Sequence, residues 1–377
     1  MGIVILKNNG KLKLTDKLSE YIPELKFYKN VTIQHLLTHT HGIRDYDSLF
    51  KEKWDKNKIA NNKDIIRLYK KYKPSKRFNP GEEFFYGGIG FEILAVIIER
   101  VSHQTYNDFL IENIFNPLKM ENTFDYHRFE KQIIKKNIAI GYIYSDSLKK
   151  RERPEILSNK AEVTWSNGIY GSGNIHTTTS DLLKWDRALY DNKFISKSDL
   201  NLIFQPTLLN DGNKINYSFG WWLIDKESIG KIVYHAGNSN GFETHFERHL
   251  DSDKTIIVLQ NFDATTPAIS AIDAILYNQP LDFVISRKEI KLSDNFLKQF
   301  EGDYAINEDF IFKVFIKNSI LFAQLSGQSA IELNAETENN FFVKKVDVQF
   351  QFIRDETDKV TQMNIFQNGN KMEAKKK

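Results

Sequence analysis

The chain has 377 residues, no cysteine, and 52 Lys and Arg against 49 Asp and Glu, a formal net charge of +3. The missing cysteine excludes disulfides, thiol nucleophiles and thiolate metal sites. The near-balance of charge gives no reason to expect a nucleic-acid or anionic-membrane partner, and no apolar run approaches the roughly 20 residues of a membrane helix.

Met1 opens directly into the apolar run Ile3–Leu6, with no cap before it, and Asn8, Asn9 and Gly10 read as a helix C-terminus. The start therefore reads as the second half of a helix. Its apolar run is too short for the core of a signal peptide, which takes about 7–15 residues. Residues 1–130 are predicted mostly helical, with short amphipathic pieces at Leu18–Leu25, Ile33–Leu37 and Asp64–Tyr72. The clearest helix is Phe91–Val101, apolar almost all round and so expected to be buried. It follows the glycine-rich turn Gly87-Gly88-Ile89-Gly90. Thr105 is the expected N-cap of a helix ending near Phe115, with Pro117 just past it. Ser180 is the expected cap of a helix over Leu182–Leu189.

Strands are predicted at Tyr217–Ile224, Ile232–Ala236 and the β-branched run Thr255–Gln260, and a helix at Ala268–Leu276. From about residue 292 the pattern changes. Val346, Val348, Phe350 and Phe352 alternate with Asp347, Gln349 and Gln351, a half-buried strand. Phe310–Ile316 and Ile320–Leu325 are likewise strand-like, and Asn368-Gly369 signals a hairpin. The chain thus divides into a mixed domain over 1–280 and a small antiparallel β-domain over 292–377, with a linker between.

Three groups of residues carry potential chemistry. His35 and His39 in "HLLTHTHGI" stand one helical turn apart, close enough to share a metal ion. No Glu follows His35 in the zinc-protease manner, and the competing reading is a helix end whose histidines cap carbonyls. Tyr86 precedes the Gly87-Gly88 turn and could act as a proton carrier, or simply pack. His235-Ala236-Gly237 ends a strand and is followed by Asn238, so backbone N–H groups there could hold an oxyanion or merely close a turn.

Taken in order, "GKLKLTDKLSEYIPEL", "VTIQHLLTHTHGI", "NPGEEFFYGGIGFEILAVIIERVS", "YGSGNIHTTTSDLLKWDRAL" and "HAGNSNGFETHFERHLDSDKTIIVLQN" resemble consecutive blocks of the serine β-lactamase-related and penicillin-binding-protein-like hydrolases. The tail, through "LFAQLSGQ" and "VTQMNIFQNG", resembles the small β-domain often appended to them. The resemblance implies an α/β (α+β) fold, an antiparallel sheet flanked by helices with a helical subdomain. It also implies acyl transfer on a small-molecule or peptide-like substrate, with no cofactor and no metal.

That family works with Ser-x-x-Lys, Tyr-x-Asn and a third box on a strand. Tyr86 matches the tyrosine of the second, His235 and Gly237 the third, and the Asn238 N–H would form half of an oxyanion hole. Gly88 stands where the family has Asn. The first box is absent; by resemblance it would lie just before residue 1, which marks the chain as N-terminally truncated. Ser48/Lys51, Ser147/Lys150 and Ser228/Lys231 match Ser-x-x-Lys, but none opens an apolar helix. The expectation is a serine hydrolase by family that is inactive as written, the alternative being a non-catalytic ligand-binding pseudoenzyme. Full-length members are expected in the periplasm or cell envelope.

Overall fold

Four of the expected helical runs become helices: α1 (Gly2–Asn8), α2 (Ile33–Leu37), α3 (Asn62–Tyr72) and α4 (Ile89–Ser102). In this computed structural model the described residues are all except 127–136, 146–147, 158–164, 192–193, 228, 263–267, 279–286, 308–309, 327, 329, 345–347 and 368–369. They form two units, Met1–Asp263 and Ala264–Lys377.

Helix α4 is the hub of the first unit. Its residues Ile93–Ile98 are all buried, and α1, α2 and α3 pack against it. A helix apolar on every side buries every side, as its sequence requires. The run expected over Leu18–Leu25 is split into a helical turn at Leu18–Tyr21 and a 3₁₀ turn at Pro23–Leu25, because proline forces the residue before it out of the helical region. Thr105 caps α5 (Tyr106–Leu110) by accepting the Asp108 N–H, and a π-helical turn continues to Phe115. Helix α6 (Thr179–Ala188) starts earlier than expected. Thr178, not Ser180, is extended and accepts the Asp181 N–H.

The sheet of this unit has five antiparallel strands in the order β5-β4-β3-β2-β1: β1 (Tyr217–Ser218), β2 (Trp221–Lys226), β3 (Gly230–Ser239), β4 (Phe242–His249) and β5 (Lys254–Gln260). The single strand expected over Tyr217–Ile224 is a hairpin instead. Phe219 and Gly220 take positive φ of 49° and 93°, and Tyr217 pairs with Trp222. Arg248 on β4 is fully buried and donates through Nε to Asp186 of α6 at 2.6 Å.

In the second unit eight antiparallel strands close a barrel: β6 (Gly302–Ala305), β7 (Ile311–Lys317), β8 (Ile320–Leu325), β9 (Ile331–Ala335), β10 (Asn340–Phe342), β11 (Val348–Arg354), β12 (Val360–Gln367) and β13 (Asn370–Lys376). Closure removes every sheet edge. The alternation seen in sequence sends Val348, Phe350 and Phe352 inward, where Phe352 meets Phe300 with ring centroids 4.5 Å apart. A barrel of this size is filled by side chains. Val346 and Asp347 of the expected strand, and the Asn368-Gly369 turn, lie outside the described residues. The strands flanking that turn pair Gln367 with Asn370.

Candidate active site

Tyr86 sits on the extended segment before α4. Two backbone hydrogen bonds tie that segment to the histidine block: Gly81 N–H donates to Thr40 O at 2.8 Å, and Phe85 N–H to His39 O at 2.9 Å. The "HLLTHTHG" block therefore serves as a backbone rail for the tyrosine. The three histidines do not gather round one point. Helix α2 ends at Leu37 and His39 is left-handed, so the helical spacing that would bring His35 and His39 together is lost. His35 Nδ1 bonds the Thr32 cap, His39 Nε2 meets the Tyr217 hydroxyl at 3.0 Å, and His41 Nδ1 accepts the Ile43 N–H at 2.9 Å. Burial pushes His39 and His41 down to about 3, so both are neutral.

The phenol of Tyr86 lies 3.2 Å from His235 Nε2, although 149 positions separate them. The Tyr86 ring is half-exposed and packs on His39 and Trp222, with centroids 4.6 and 6.1 Å away. Partial desolvation raises its pKa above the ordinary 10, and burial lowers that of His235. Both are thus neutral near pH 7 and share this one hydrogen bond, its direction set by which imidazole nitrogen carries the proton.

His235 begins the open stretch of β3. Strand β2 pairs with β3 only over Gly230–Tyr234, while β4 pairs with it through Ser239. Among the described residues, then, 235–239 carry no strand on the β2 side. Ala236, Gly237 and Asn238 are exposed there. Tyr86, His235, Gly237 and Asn238 all line one cleft of about 1340 Å³, together with Ser172, His176 and Asn261.

Beneath the turn that follows Tyr86 lie two carboxyl groups. Asp45 Oδ2 accepts the Gly88 N–H at 3.0 Å, capping α4 from outside the helix. Glu92 is 2% exposed; its Oε1 accepts the Tyr46 hydroxyl at 3.1 Å and the Ser172 hydroxyl at 2.8 Å. Burial, with the neighbouring Asp45 charge adding to it, lifts Glu92 to about 8. A Cβ at position 87 would fall 2.5 Å from Asp45 Oδ2, and one at position 88 would fall 2.9 Å from Glu92 Oε1. The two glycines are therefore dictated by the acids packed against them.

Of the three Ser-x-x-Lys matches, Ser48 and Lys51 are exposed on a separate helix (Asp47–Lys53) and do not line the cleft. Ser147 and Ser228 lie outside the described residues. Sequence reading missed Asp45, Glu92 and Ser172. Glu92 left a signal, as the one charged residue in Ile89–Ile98, an otherwise apolar stretch of helix. Asp45 and Ser172 left none, since their positions are fixed by tertiary packing.

A five-stranded antiparallel sheet backed by helices, with the cleft where its central strand runs free, places this chain in the class of β-lactamase-like and penicillin-binding-protein-like serine hydrolases. It belongs to the Beta-lactamase family, whose model matches residues 1–277. It is 33% identical over 381 residues to "Penicillin-binding protein 4*" of Bacillus subtilis (strain 168), across 99% of this chain and 84% of that protein. It is 26% identical over 276 residues to "Protein flp" of Staphylococcus aureus (strain MW2), across 70% of this chain but about half, 51%, of flp. Among solved structures, the octameric penicillin-binding protein homologue from Pyrococcus abyssi superposes with a TM-score of 0.64 at 21% identity, covering 99% of this chain and 85% of that one. Among the described residues no helix is long and apolar enough to cross a membrane.

Proposed function

We propose that the cleft binds acyl substrates between Tyr86 on one wall and the His235–Asn238 edge on the other, and that residues 1–377 alone turn them over negligibly. The observation that carries this reading is the 3.2 Å contact between Tyr86 Oη and His235 Nε2 at the cleft. An extended substrate would lay its backbone along the open edge of β3, where ladder hydrogen bonds are still to be made. Its carbonyl oxygen would face the Asn238 N–H, and Tyr86 would pass a proton to or from the leaving group.

The weakness lies in the nucleophile. No Ser-x-x-Lys pair lines the cleft among the described residues, and in other serine hydrolases removing such a unit costs about 10⁶ in turnover. A tyrosine with its ordinary pKa is ionised to only about one part in a thousand at pH 7, and here burial pushes Tyr86 higher still. Gly88 also removes the amide that the family's second box would offer. These two departures favour a ligand-binding role for the chain on its own.

The test pairs binding with turnover. Benzylpenicillin added to the full chain is expected to shift the His235 ring resonances, and His235→Ala to weaken binding about tenfold or more. Hydrolysis is expected at the rate of buffer alone. Sustained turnover near the enzyme median of about 10 s⁻¹ would overturn the claim of inactivity. Binding that ignores both His235→Ala and Tyr86→Phe would overturn the placement of the cleft.

A further inference from the structure

Ser172 is an exposed hydroxyl in the wall of the cleft, yet its hydrogen bond runs inward to a buried acid. Its Oγ–H donates to Glu92 Oε1 at 2.8 Å. The other carboxyl oxygen of Glu92, Oε2, is buried with no hydrogen-bond partner among the described residues. The pair is held rigidly. Asn62, itself 1% exposed, donates through Nδ2 to the backbone O of Glu92 at 3.0 Å and to that of Tyr170 at 2.8 Å, and its Oδ1 accepts the Tyr170 N–H at 2.9 Å. One side chain thus fixes both the helix carrying Glu92 and the loop carrying Ser172.

The pair also lies close to the Tyr86 turn. A Cβ at Gly88, two residues after Tyr86, would fall 3.2 Å from Ser172 Oγ as well as 2.9 Å from Glu92 Oε1. The family's second-box asparagine would therefore collide with this hydroxyl–carboxyl contact. Its replacement by glycine leaves the contact intact and open to the cleft.

We propose that Ser172, with Glu92 as its general base, is an acyl acceptor in this cleft for activated esters, a role that rests on the cleft admitting acyl compounds at all. Ser172 Oγ forms the new C–O bond to the acyl carbon while its proton passes to Glu92 Oε1. The ester C–O bond breaks and the alkoxide or phenolate leaves with the bonding pair. The products are acyl-Ser172, protonated Glu92 and the free leaving group, so atoms and charge balance. A positioned base contributes typically 10²–10⁴-fold, which suits a single acylation of a reactive ester and not the turnover of amides.

The experiment uses the full chain with p-nitrophenyl acetate between pH 6 and 9. Nitrophenolate release is read by absorbance, and the acetyl group is located by peptide mass mapping. The expected result is an acetyl group on Ser172, gained faster as pH rises toward about 8. Ser172→Ala should abolish that adduct, and Glu92→Gln should slow it about 100-fold and flatten the pH dependence. Benzylpenicillin binding is measured on the same samples. Acetylation confined to lysines, or Glu92→Gln reacting as fast as the parent, with binding intact, would overturn the serine proposal and leave the cleft reading standing. Loss of both binding and the Ser172 adduct in the folded parent would overturn both.

Discussion

Glu92 makes the stability of the first unit depend on pH in a calculable way. Its carboxyl titrates at about 8 in the fold against an ordinary 4.5. A folded value above the unfolded one means that the stabilising effect is fully present below about 4.5. It is lost as pH rises through about 8. Each tenfold change in proton activity inside that window is worth up to about 1.4 kcal/mol, so raising pH from 6 to 8 removes about 2 kcal/mol and the full loss above 8 approaches 5. The raw pH profile is not diagnostic, because burial lowers the Met1 amine to about 6 and it works in the opposite sense over the same range. The difference between parent and Glu92→Gln isolates the carboxyl. Urea unfolding at pH 6 and pH 8 should show the variant gaining on the parent by about 2 kcal/mol. A difference that stays constant to within about 0.5 kcal/mol would refute a buried, proton-holding Glu92.

Restoring the family's second box by Gly88→Asn should destabilise the chain by about 1–3 kcal/mol, because its Cβ meets Glu92 and Ser172 at 2.9 and 3.2 Å. The double variant with Ser172→Gly should recover part of that loss in a thermal melt, and full additivity of the two changes would argue against the collision. Arg248→Met should cost about 3–5 kcal/mol by urea titration, since it removes the buried guanidinium that bonds the fully buried Asp186 at 2.6 Å and leaves only the half-exposed Arg187 beside it. A near-neutral result would mean that Arg187, which also bonds Asp186, satisfies it alone.

Legibility followed the kind of interaction involved. Phe91–Val101 was readable because a helix buried on all sides needs apolar residues at every position, and β11 because alternation is intrinsic to a strand with one buried face. The pairing of Tyr86 with His235 came through the ordered blocks of the family resemblance, since no local pattern joins residues 149 apart. What escaped was set by backbone exceptions. The left-handed residues Phe219 and His39 turned one expected strand into a hairpin and removed one expected helical pair. His39 carries no glycine that would announce such a conformation, and the Gly220 beside Phe219 does not by itself tell a hairpin turn from a bulge within one strand. Asp45 was invisible because it caps a helix 43 residues away, whereas capping signals in sequence are sought within a turn.

Two buried carboxyl groups beneath one turn do not readily both hold a charge, and their donors decide which does. Burial raises the Asp45 carboxyl above its usual range, but it accepts backbone N–H groups from Tyr46, Gly88 and Ile89, which pull it back toward the charged form; the latter two lie at the start of α4, where the helix dipole also favours negative charge. Backbone amides can only donate, so they reward a carboxylate. Glu92 meets the hydroxyls of Tyr46 and Ser172, which can accept as readily as they donate and so tolerate a protonated carboxyl. The charge therefore settles on Asp45 and the proton on Glu92. Ionising Glu92 sets a second negative charge against the first and simultaneously gives Ser172 a base. The same proton then governs both properties: the pH near 8 at which the fold stops losing the contribution of Glu92 is the pH at which Ser172 acylation reaches half its maximum. A levelling-off of the stability loss and a half-maximum of acylation that part by more than about one pH unit would show that the two effects have different origins.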